Sequence, residues 1–539
     1  MTRWVTVADL ERCVGCQTCT VACRHANATS PAVQWRKVLD VEAGSYPNVS
    51  RTFVPVGCQH CADPPCMHVC PTTATRQRAD GIVTIDYELC IGCAYCEVAC
   101  PYQARFLEHT PHFAYGGAGM ANEIERADPS RMGVAQKCTY CSDRIDFGIE
   151  NGVAPGMDPR ATPACVNSCI ADALHFGDID DANSNVSRLL YEQRSFRMHE
   201  EIGTEPSFYY VYGRADAMPA PASDPVSTLS RGAGELRTRG VEPSLQQHWD
   251  WKAASNFICG GAGIGLFAFA TLASFWQESL APLGWLAMAL VATGLSLLLL
   301  KIGRPWRSLY VMLQPRRSWM TREAWIAAVF FPLGALALWF ASPALMLAAA
   351  VLGFSFLFCQ AMILQAAKGI PAWRIPAVVP LIMVTGIAEG SGLFLAAAAL
   401  TRAPVAETVA VAAVILAGMR FWTWRSYLAA LATEGAPTRM FAVFDAFKPW
   451  FFLIGLAVPA ALIALGFFTP GAMMIAFTVA GLGITFAGSA LKLILVTRAS
   501  FNQGFALKHT PVRGVGMAGP AVKPGWSTVK ARDEMEIES

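Results

Sequence analysis

Sixteen of the eighteen cysteines in this 539-residue chain fall in four runs near its N-terminus. The runs are Cys13, Cys16, Cys19 and Cys23; Cys58, Cys61, Cys66 and Cys70; Cys90, Cys93, Cys96 and Cys100; and Cys138, Cys141, Cys165 and Cys169. In the first and third runs, three cysteines recur at every third position and the fourth follows after three intervening residues. Such a loop turns three sulfurs toward one face of a cubane. It sends the fourth, at the start of a helix, toward a neighbouring cluster. Cys70-Pro71 and Cys100-Pro101 carry the proline that often follows this fourth ligand, whereas Cys23-Arg24 and Cys169-Ile170 lack it. Sixteen thiolates at these spacings suffice for four [4Fe–4S] clusters with four ligands each, which together form a path for single electrons.

Other cysteine chemistries fit the pattern less well. Structural zinc sites pair two Cys-x2-Cys elements and do not continue into a third and fourth cysteine at these intervals. No Cys-x-x-Cys is followed by His, so covalent haem attachment is not expected. The N-terminal segment has neither an apolar stretch of secretory length nor a twin arginine. Nothing therefore places the thiols in an oxidising compartment, and a disulfide framework is not expected. A net charge of +2 without a strong basic patch gives no reason to invoke nucleic acid.

The elements that must hold these loops read as two ferredoxin-like modules over residues 1–215, with longer insertions at 24–57 and 101–137. Gly81–Asp86 alternates like a short strand entering the third run. The apolar core between the loops looks thin, so thiolate–iron bonds are expected to supply much of the folding energy. Residues 216–247, rich in Pro, Ala, Ser and Gly, suit a linker. Beyond them the composition changes. Hydrophobic residues make up 54% of the chain against 15% charged, and the excess sits almost wholly after residue 248. A membrane span needs about 20 mostly apolar residues. Eight candidates satisfy this: 251–276, 282–300, 323–341, 344–365, 377–400, 404–427, 449–468 and 472–496. The segment Ala341-Ser-Pro-Ala344 must then serve as a whole turn. The expected fold is an α+β duplicated ferredoxin-like iron–sulfur domain, then an all-α eight-helix transmembrane bundle over 248–500. A cytoplasmic tail is expected at 501–539.

The four cysteine runs, in this order, resemble the electron-transfer subunit of membrane-bound molybdopterin oxidoreductases such as dimethyl sulfoxide, polysulfide and tetrathionate reductases. The resemblance covers residues 1–215. It implies that the first run pairs with the fourth and the second with the third. One cluster would then take Cys13, Cys16, Cys19 and Cys169, and the next Cys23, Cys138, Cys141 and Cys165. A third would take Cys58, Cys61, Cys66 and Cys100, and the last Cys70, Cys90, Cys93 and Cys96. Some relatives replace one cysteine and carry [3Fe–4S]. This chain keeps all sixteen, which implies four [4Fe–4S]. The apolar half resembles the integral membrane anchor subunits of the same enzymes. The eight spans carry that resemblance, together with the basic loop Lys301-Ile-Gly-Arg-Pro-Trp-Arg307 and Ser318-Trp-Met-Thr-Arg322-Glu-Ala-Trp325. Two subunits that are commonly separate are fused here. A separate catalytic subunit with molybdopterin-bound molybdenum or tungsten is implied as partner.

Alternate membrane loops differ sharply in charge. The loops at 301–322, 365–376 and 425–448 hold Lys301, Arg304, Arg307, Arg316, Arg317, Arg322, Lys368, Arg374, Arg425, Arg439 and Lys448, while the others hold only Arg402. By the positive-inside rule the basic side is cytoplasmic. An even number of spans then puts both termini and the iron–sulfur domain on that side of a bacterial inner membrane.

None of the histidines, at 25, 60, 68, 109, 112, 175, 199, 248 and 509, lies inside a predicted span. A membrane b-type haem is therefore not expected, and electrons should pass between the nearest cluster and a quinone directly. Glu389, mid-span, either serves the quinone or its protons or is one half of a buried structural pair, with Arg420 as its candidate partner. His248 and Trp251 stand at the cluster side of the first span. They could meet a quinone head or simply sit in an interfacial aromatic belt. Arg304 and Arg307 could contact the quinone, a lipid phosphate or the iron–sulfur domain. Cys259 and Cys359 read as packing residues. Gly261-Ala-Gly263-Ile-Gly265 reads as a close helix contact rather than a nucleotide loop.

The chain offers no nucleophile or acid–base pair for organic chemistry. The expected function is an electron-transfer and membrane-anchor subunit, moving electrons between a catalytic partner and the quinone pool, toward quinone. A quinol-oxidising terminal reductase and a proton-pumping quinone-linked complex are the alternatives.

Overall fold

A computed structural model of the chain describes residues 2–45, 48–214, 242–276, 281–507, 510–512, 517–519, 523 and 525–527. Most of the expected linker, 216–241, lies outside the described residues, as do His509 and the tail from 528 onward. The chain divides into two compact units, Met1–Ser244 with Asn502–Trp526, and Leu245–Phe501 with Ser527. The first unit thus includes part of the segment where a cytoplasmic tail is expected.

The first unit is built on a four-stranded sheet of β1 (Trp4–Asp9), β8 (Leu174–Asp178), β9 (Gln193–Arg197) and β10 (Phe208–Arg214), in the order β8-β1-β10-β9. β1 runs parallel to β10 and antiparallel to β8, so the start and end of the iron–sulfur segment close on each other. Between them come α1 (Thr18–Asn27), the hairpin β2 (Arg36–Ser45) and β3 (Asn48–Gly57), α2 (Pro65–His68), β4 (Thr75–Gln77) and β5 (Val83–Ile85). Then follow α3 (Tyr95–Val98), β6 (Phe106–Leu107), α4 (Ala121–Arg126), β7 (Ala135–Gln136), α5 (Ser142–Glu150), α6 (Ala164–Asn167) and α7 (Asn185–Glu192). The alternation at 81–86 becomes β5, paired antiparallel with β4.

The insertion at 24–57 supplies the long hairpin, and the one at 101–137 supplies β6, α4 and β7. The core is fuller than the loop sequences suggest. Trp4, Trp35, Val54, Phe176, Phe208 and Tyr210 are buried in one cluster with several of the cysteines, because the hairpin and the sheet both pack over the cysteine loops. The short pair Thr510–Val512 and Met517–Gly519 lies against β3 and β10, which explains why this segment joins the first unit.

The second unit holds eight helices long and apolar enough to cross a membrane. They are α8 (Trp251–Ala273), α9 (Ala281–Leu299), α10 (Trp319–Trp339), α11 (Pro343–Gln365), α13 (Val378–Leu400), α14 (Ala406–Glu434), α15 (Thr438–Phe468) and α16 (Met473–Thr497), with a short α12 (Pro371–Arg374) between the fourth and fifth. Two helices start well before the apolar window. α10 begins at Trp319 rather than 323, and α15 at Thr438 rather than 449, because their first turns carry charges that an apolar window excludes. The connection between α10 and α11 is as tight as expected. Ala341 adopts φ +48° and the Ser342 side chain caps α11 by accepting from the Leu345 amide.

The glycines of α8 serve close packing. A Cβ on Gly265 would lie 2.4 Å from the Gly386 carbonyl oxygen, and one on Gly390 would lie 2.0 Å from the Gly265 carbonyl carbon. α8 and α13 therefore touch backbone to backbone, the arrangement that small residues permit between membrane helices.

Candidate iron–sulfur and membrane sites

Positive φ angles explain how the first and third cysteine runs curl. Gly15 and Gln17 take φ +71° and +61°, and Gly92 and Ala94, at the same places in the third run, take +70° and +60°. Alternating left-handed residues turn successive backbone N–H groups to the inside of the loop, where they face anions. Amides do point at the sulfurs. The Tyr140 amide donates to Cys138 Sγ at 3.4 Å and the Ala173 amide to Cys169 Sγ at 3.2 Å. Hydrogen bonds from Thr18 hold the exposed Cys16 thiol below its ordinary pKa.

Most of the other thiols are pushed up, chiefly by burial, and the charge of neighbouring cysteines adds to this. Cys19, raised to about 11, feels Cys165, Cys13 and Cys169. Cys23 feels Cys138, Cys165 and Cys141, and Asn27 Nδ2 reaches both Cys23 Sγ (3.8 Å) and Cys141 Sγ (3.9 Å). Cys100, raised to about 12, feels Cys66 and Cys58, and Cys61 feels Cys66, Cys58 and Cys100. Cys93, also raised to about 12, feels Cys70 and Cys90, and Cys96 feels Cys90, Cys93 and Cys70. Cys13, Cys16, Cys19 and Cys169 line one cavity.

Among the described residues, no three Cys, His, Asp or Glu side chains converge tightly enough to grip a single metal ion. A cubane is a larger body with its ligands at separate corners, so the groups of thiols are the better guide. Buried donors fit an anionic sulfur body as well. Nε and Nη1 of the fully buried Arg36 have no hydrogen-bond partner among the described residues, and Arg105 Nη2 donates to Cys66 Sγ at 3.0 Å. The residues present therefore suit iron–sulfur groups, whose irons would be held by these thiolates.

The membrane unit contains a buried ionic cluster that the sequence reading only half found. Glu389 lies in the middle of α13 and is fully buried. Its ion-pair partner is Lys492 of α16, at 2.6 Å, not Arg420. Lys492 Nζ also donates to the Phe257 carbonyl at 2.9 Å, which ties α16 to α8. Arg420 stays close enough to act on Glu389 electrostatically, but its hydrogen bonds go elsewhere. It donates to Ile484 O at 2.7 Å and to Gly455 O at 2.9 Å. The second contact has a local cause. Residue 459, which would normally donate to Gly455 O, is Pro459 and has no N–H, and the helix widens into a π-turn at Leu453–Ala457. Gly261 and Gly488 make room for the cluster, since a Cβ on either would come within 3.0 Å of Lys492, Glu389 or Arg420 atoms.

Lys492 is legible in the sequence as a charge inside the eighth span. A second buried group, Glu323 of α10, accepts from Asn256 Nδ2 at 3.2 Å, and Gln360 Nε2 donates to the Asn256 carbonyl at 2.9 Å. The sequence placed Glu323 at a span boundary, where it drew no attention.

The partners of Glu389 do not include His248, Trp251, Arg304 or Arg307, so the proposed quinone residues do not form one site with it. His248 is half-buried. Two residues before it, the Gln246 side chain donates to Trp249 O, Val496 O and Ser500 Oγ. Trp251 is exposed at the start of α8, next to the capping Asp250. Arg304 caps the helical turn Pro305–Leu313 that follows α9, and Arg307 lies within it. A groove of about 640 Å³ opens between α10 and α11, walled by Trp319, Arg322, Trp325, Phe354 and Phe358. Cys359 is buried and Cys259 half-buried, both in helix contacts.

The 4Fe-4S dicluster domain family matches residues 49–115. The selenate reductase B subunit of Mesobacillus selenatarsenatis is 39% identical over 225 residues, covering 39% of this chain and 72% of that protein. The chain belongs to the family of iron–sulfur B subunits of such reductases. The tetrathionate reductase B subunit of Salmonella typhimurium is 37% identical over 224 residues, 41% of this chain and 76% of its own length. The sulfite dehydrogenase B subunit of Allochromatium vinosum is 34% identical over 234 residues, 40% of this chain and 86% of its own. The first unit is thus a 4Fe-4S electron-transfer module of an oxidoreductase, of the kind that works beside a catalytic subunit. Here it continues into eight apolar helices that fit a fused membrane anchor.

Proposed function

We propose that the chain passes electrons between a molybdopterin-containing catalytic subunit and the membrane quinone pool, through four [4Fe–4S] clusters, and that the net flow is toward quinone. The observation that carries this is the fusion itself: a B-type iron–sulfur module and eight membrane-length helices in one chain. The clusters supply one-electron storage when bound; the residues supply everything else. The four ligand sets are Cys13, Cys16, Cys19 and Cys169; Cys23, Cys138, Cys141 and Cys165; Cys58, Cys61, Cys66 and Cys100; and Cys70, Cys90, Cys93 and Cys96. The cavity shared by Cys13, Cys16, Cys19 and Cys169, and the mutual charge effects within the third and fourth sets, support this grouping.

In the anchor, His248, Trp251, Arg304 and Arg307 orient a quinone head on the cytoplasmic side. Glu389, held by Lys492, carries protons rather than contacting that head. The basic loops point to an inner-membrane protein with its iron–sulfur domain in the cytoplasm. Relatives named as reductases favour the opposite flow, from quinol to a terminal acceptor, as the second reading.

The test is purification of the complex from its native membrane. A co-purifying large subunit with molybdenum or tungsten is expected, and dithionite-reduced clusters should be reoxidised by a soluble quinone analogue. A chain that purifies without such a partner, or whose clusters ignore quinone, would overturn the proposal. Comparing cluster potentials with that of the quinone pool decides between the two directions.

A further inference from the structure

Helices α10 and α11 pack along each other, yet the groove of about 640 Å³ opens between them near the start of α10. Its walls are Trp319, Trp325 and Ile326 of one helix and Val351, Phe354 and Phe358 of the other. Trp319 meets Phe358 edge to face, with ring centroids 5.7 Å apart, where α10 begins and α11 nears its end. From Trp319 to Ile326 the wall is about 10 Å long at the helical rise per residue. That is about two thirds of one leaflet's hydrocarbon, since the whole core is about 30 Å thick. Ser355, in the same wall, donates its hydroxyl to Val351 O of its own helix at 3.1 Å, and the Cys359 thiol counts as a small apolar group. The interior therefore offers an incoming molecule apolar contact.

The mouth of the groove is different. Pro315 borders it, and Arg316 and Arg317 follow directly, both exposed. Arg322 fastens this corner to the groove wall. Its Nε donates to Pro315 O at 2.9 Å and its Nη2 to Arg316 O at 2.8 Å, while its guanidinium lies 4.1 Å from the centre of the Trp319 ring. Trp325 Nε1 adds a bond to Met312 O at 3.1 Å. Three cations thus gather at one end of an apolar slot, and no described carboxylate pairs with any of them. Just upstream, Trp306, Leu309 and Leu313 stand exposed on the helical turn Pro305–Leu313, as in a segment that lies in a bilayer interface. The arginine fork matches phosphate oxygens, and basic pockets between membrane helices hold anionic headgroups. A neutral quinone would leave the three charges unanswered, and a second copy of the chain would bring its own arginines against them.

We infer that the α10–α11 groove is a binding site for one anionic phospholipid, with an acyl chain between the helices and the phosphate on Arg316, Arg317 and Arg322. The site depends on the eight membrane helices and is independent of the cluster and quinone readings. The chain fills the gap that the two helices leave, and the headgroup supplies the counter-charge that the protein itself does not.

The experiment is native mass spectrometry of the full-length protein, extracted in detergent and titrated with palmitoyl-oleoyl phosphatidylglycerol or the phosphatidylcholine of the same chains. Inorganic phosphate and a soluble quinone analogue are added as competitors in separate arms. The wild type should hold one phosphatidylglycerol at least tenfold more tightly than phosphatidylcholine, since each basic side chain at a membrane surface is worth about fivefold. The double variant Arg316→Gln/Arg317→Gln should lose most of that preference, and Arg316→Lys/Arg317→Lys should keep most of it. Ser355→Trp, which fills the slot, should weaken retention of both lipids while circular dichroism shows the helices intact. Should Ser355→Trp fail to fold, the arginine variants, on an exposed corner, decide alone. Equal retention of the two lipids, an unchanged preference in the Gln double variant, or undiminished retention in a folded Ser355→Trp overturns the inference. So does displacement by inorganic phosphate, which would reduce the site to an ion contact, or by the quinone analogue, which would give the groove to quinone.

Discussion

Replacing Glu389 by Gln should destabilise the membrane unit more than any other single change of a polar side chain within it. The carboxylate is fully buried, 2.6 Å from Lys492, and acted on by Arg420, so one anion serves two buried cations. Removing one member of a buried pair costs about 3–5 kcal/mol, because the remaining charge loses its counter-ion. Here two cations are stranded, which places Glu389→Gln at the upper end of that range. Lys492→Met should cost less, at about 3 kcal/mol, because Glu389 keeps Arg420 nearby. For a unit of about 250 residues each kcal/mol moves the midpoint by about 2–4 °C, so Glu389→Gln should lower it by roughly 10–20 °C. The assay is thermal unfolding in nanodiscs, followed by tryptophan fluorescence, for both single variants and the double variant. The double variant should be more stable than the sum of the two losses predicts, since it carries one stranded cation instead of two. Additive losses, or a loss below about 1 kcal/mol for Glu389→Gln, would refute the ion-pair account.

Other outcomes follow from the same contacts. In proteoliposomes, Glu389→Gln should lose proton translocation while quinone reduction persists; equal loss of both would tie the carboxylate to quinone chemistry instead. Gly390→Ala should cost at least about 1–3 kcal/mol, because its Cβ would stand 2.0 Å from the backbone of α8 and neither helix can yield locally; a normal melting midpoint would contradict the backbone contact. Chelating the iron should unfold the first unit while leaving the helices intact, since metal binding is coupled to folding in small metal-rich domains; far-UV circular dichroism separates the two. Cysteine-reactive probes should label engineered cysteines in the 301–322 and 425–448 loops only from the cytoplasmic side, and labelling from the opposite side would reverse the assigned orientation.

The sequence disclosed what is local and hid what is distant. Cluster loops are legible because the ligand spacing and the glycine at the first left-handed position lie within seven residues, as Gly15 and Gly92 show. Membrane helices are legible because about 20 apolar residues have few other uses. The ion pair of Glu389 was not, since Lys492 is 103 positions away and the nearer Arg420 is drawn off by the carbonyl that Pro459 leaves free. The burial of Arg36 and Arg105 was equally hidden, because only the folded hairpin and the β6–β7 pair carry them inward. The segment after residue 501 read as a tail because it lacks an apolar pattern. It joins the first unit through contacts such as the Asn502 amide donating to Ser244 O at 2.8 Å and His199 Nε2 bonding Gly504 O at 3.3 Å.

The central claim is that one chain carries four [4Fe–4S] clusters on all sixteen clustered cysteines. Iron and acid-labile sulfide counted on anaerobically purified protein, with EPR of the fully reduced state, tests it most directly. Four cubanes require about sixteen irons per chain and four interacting reduced signals. A count near twelve, or a [3Fe–4S] signal in the oxidised protein that survives anaerobic handling, would contradict it.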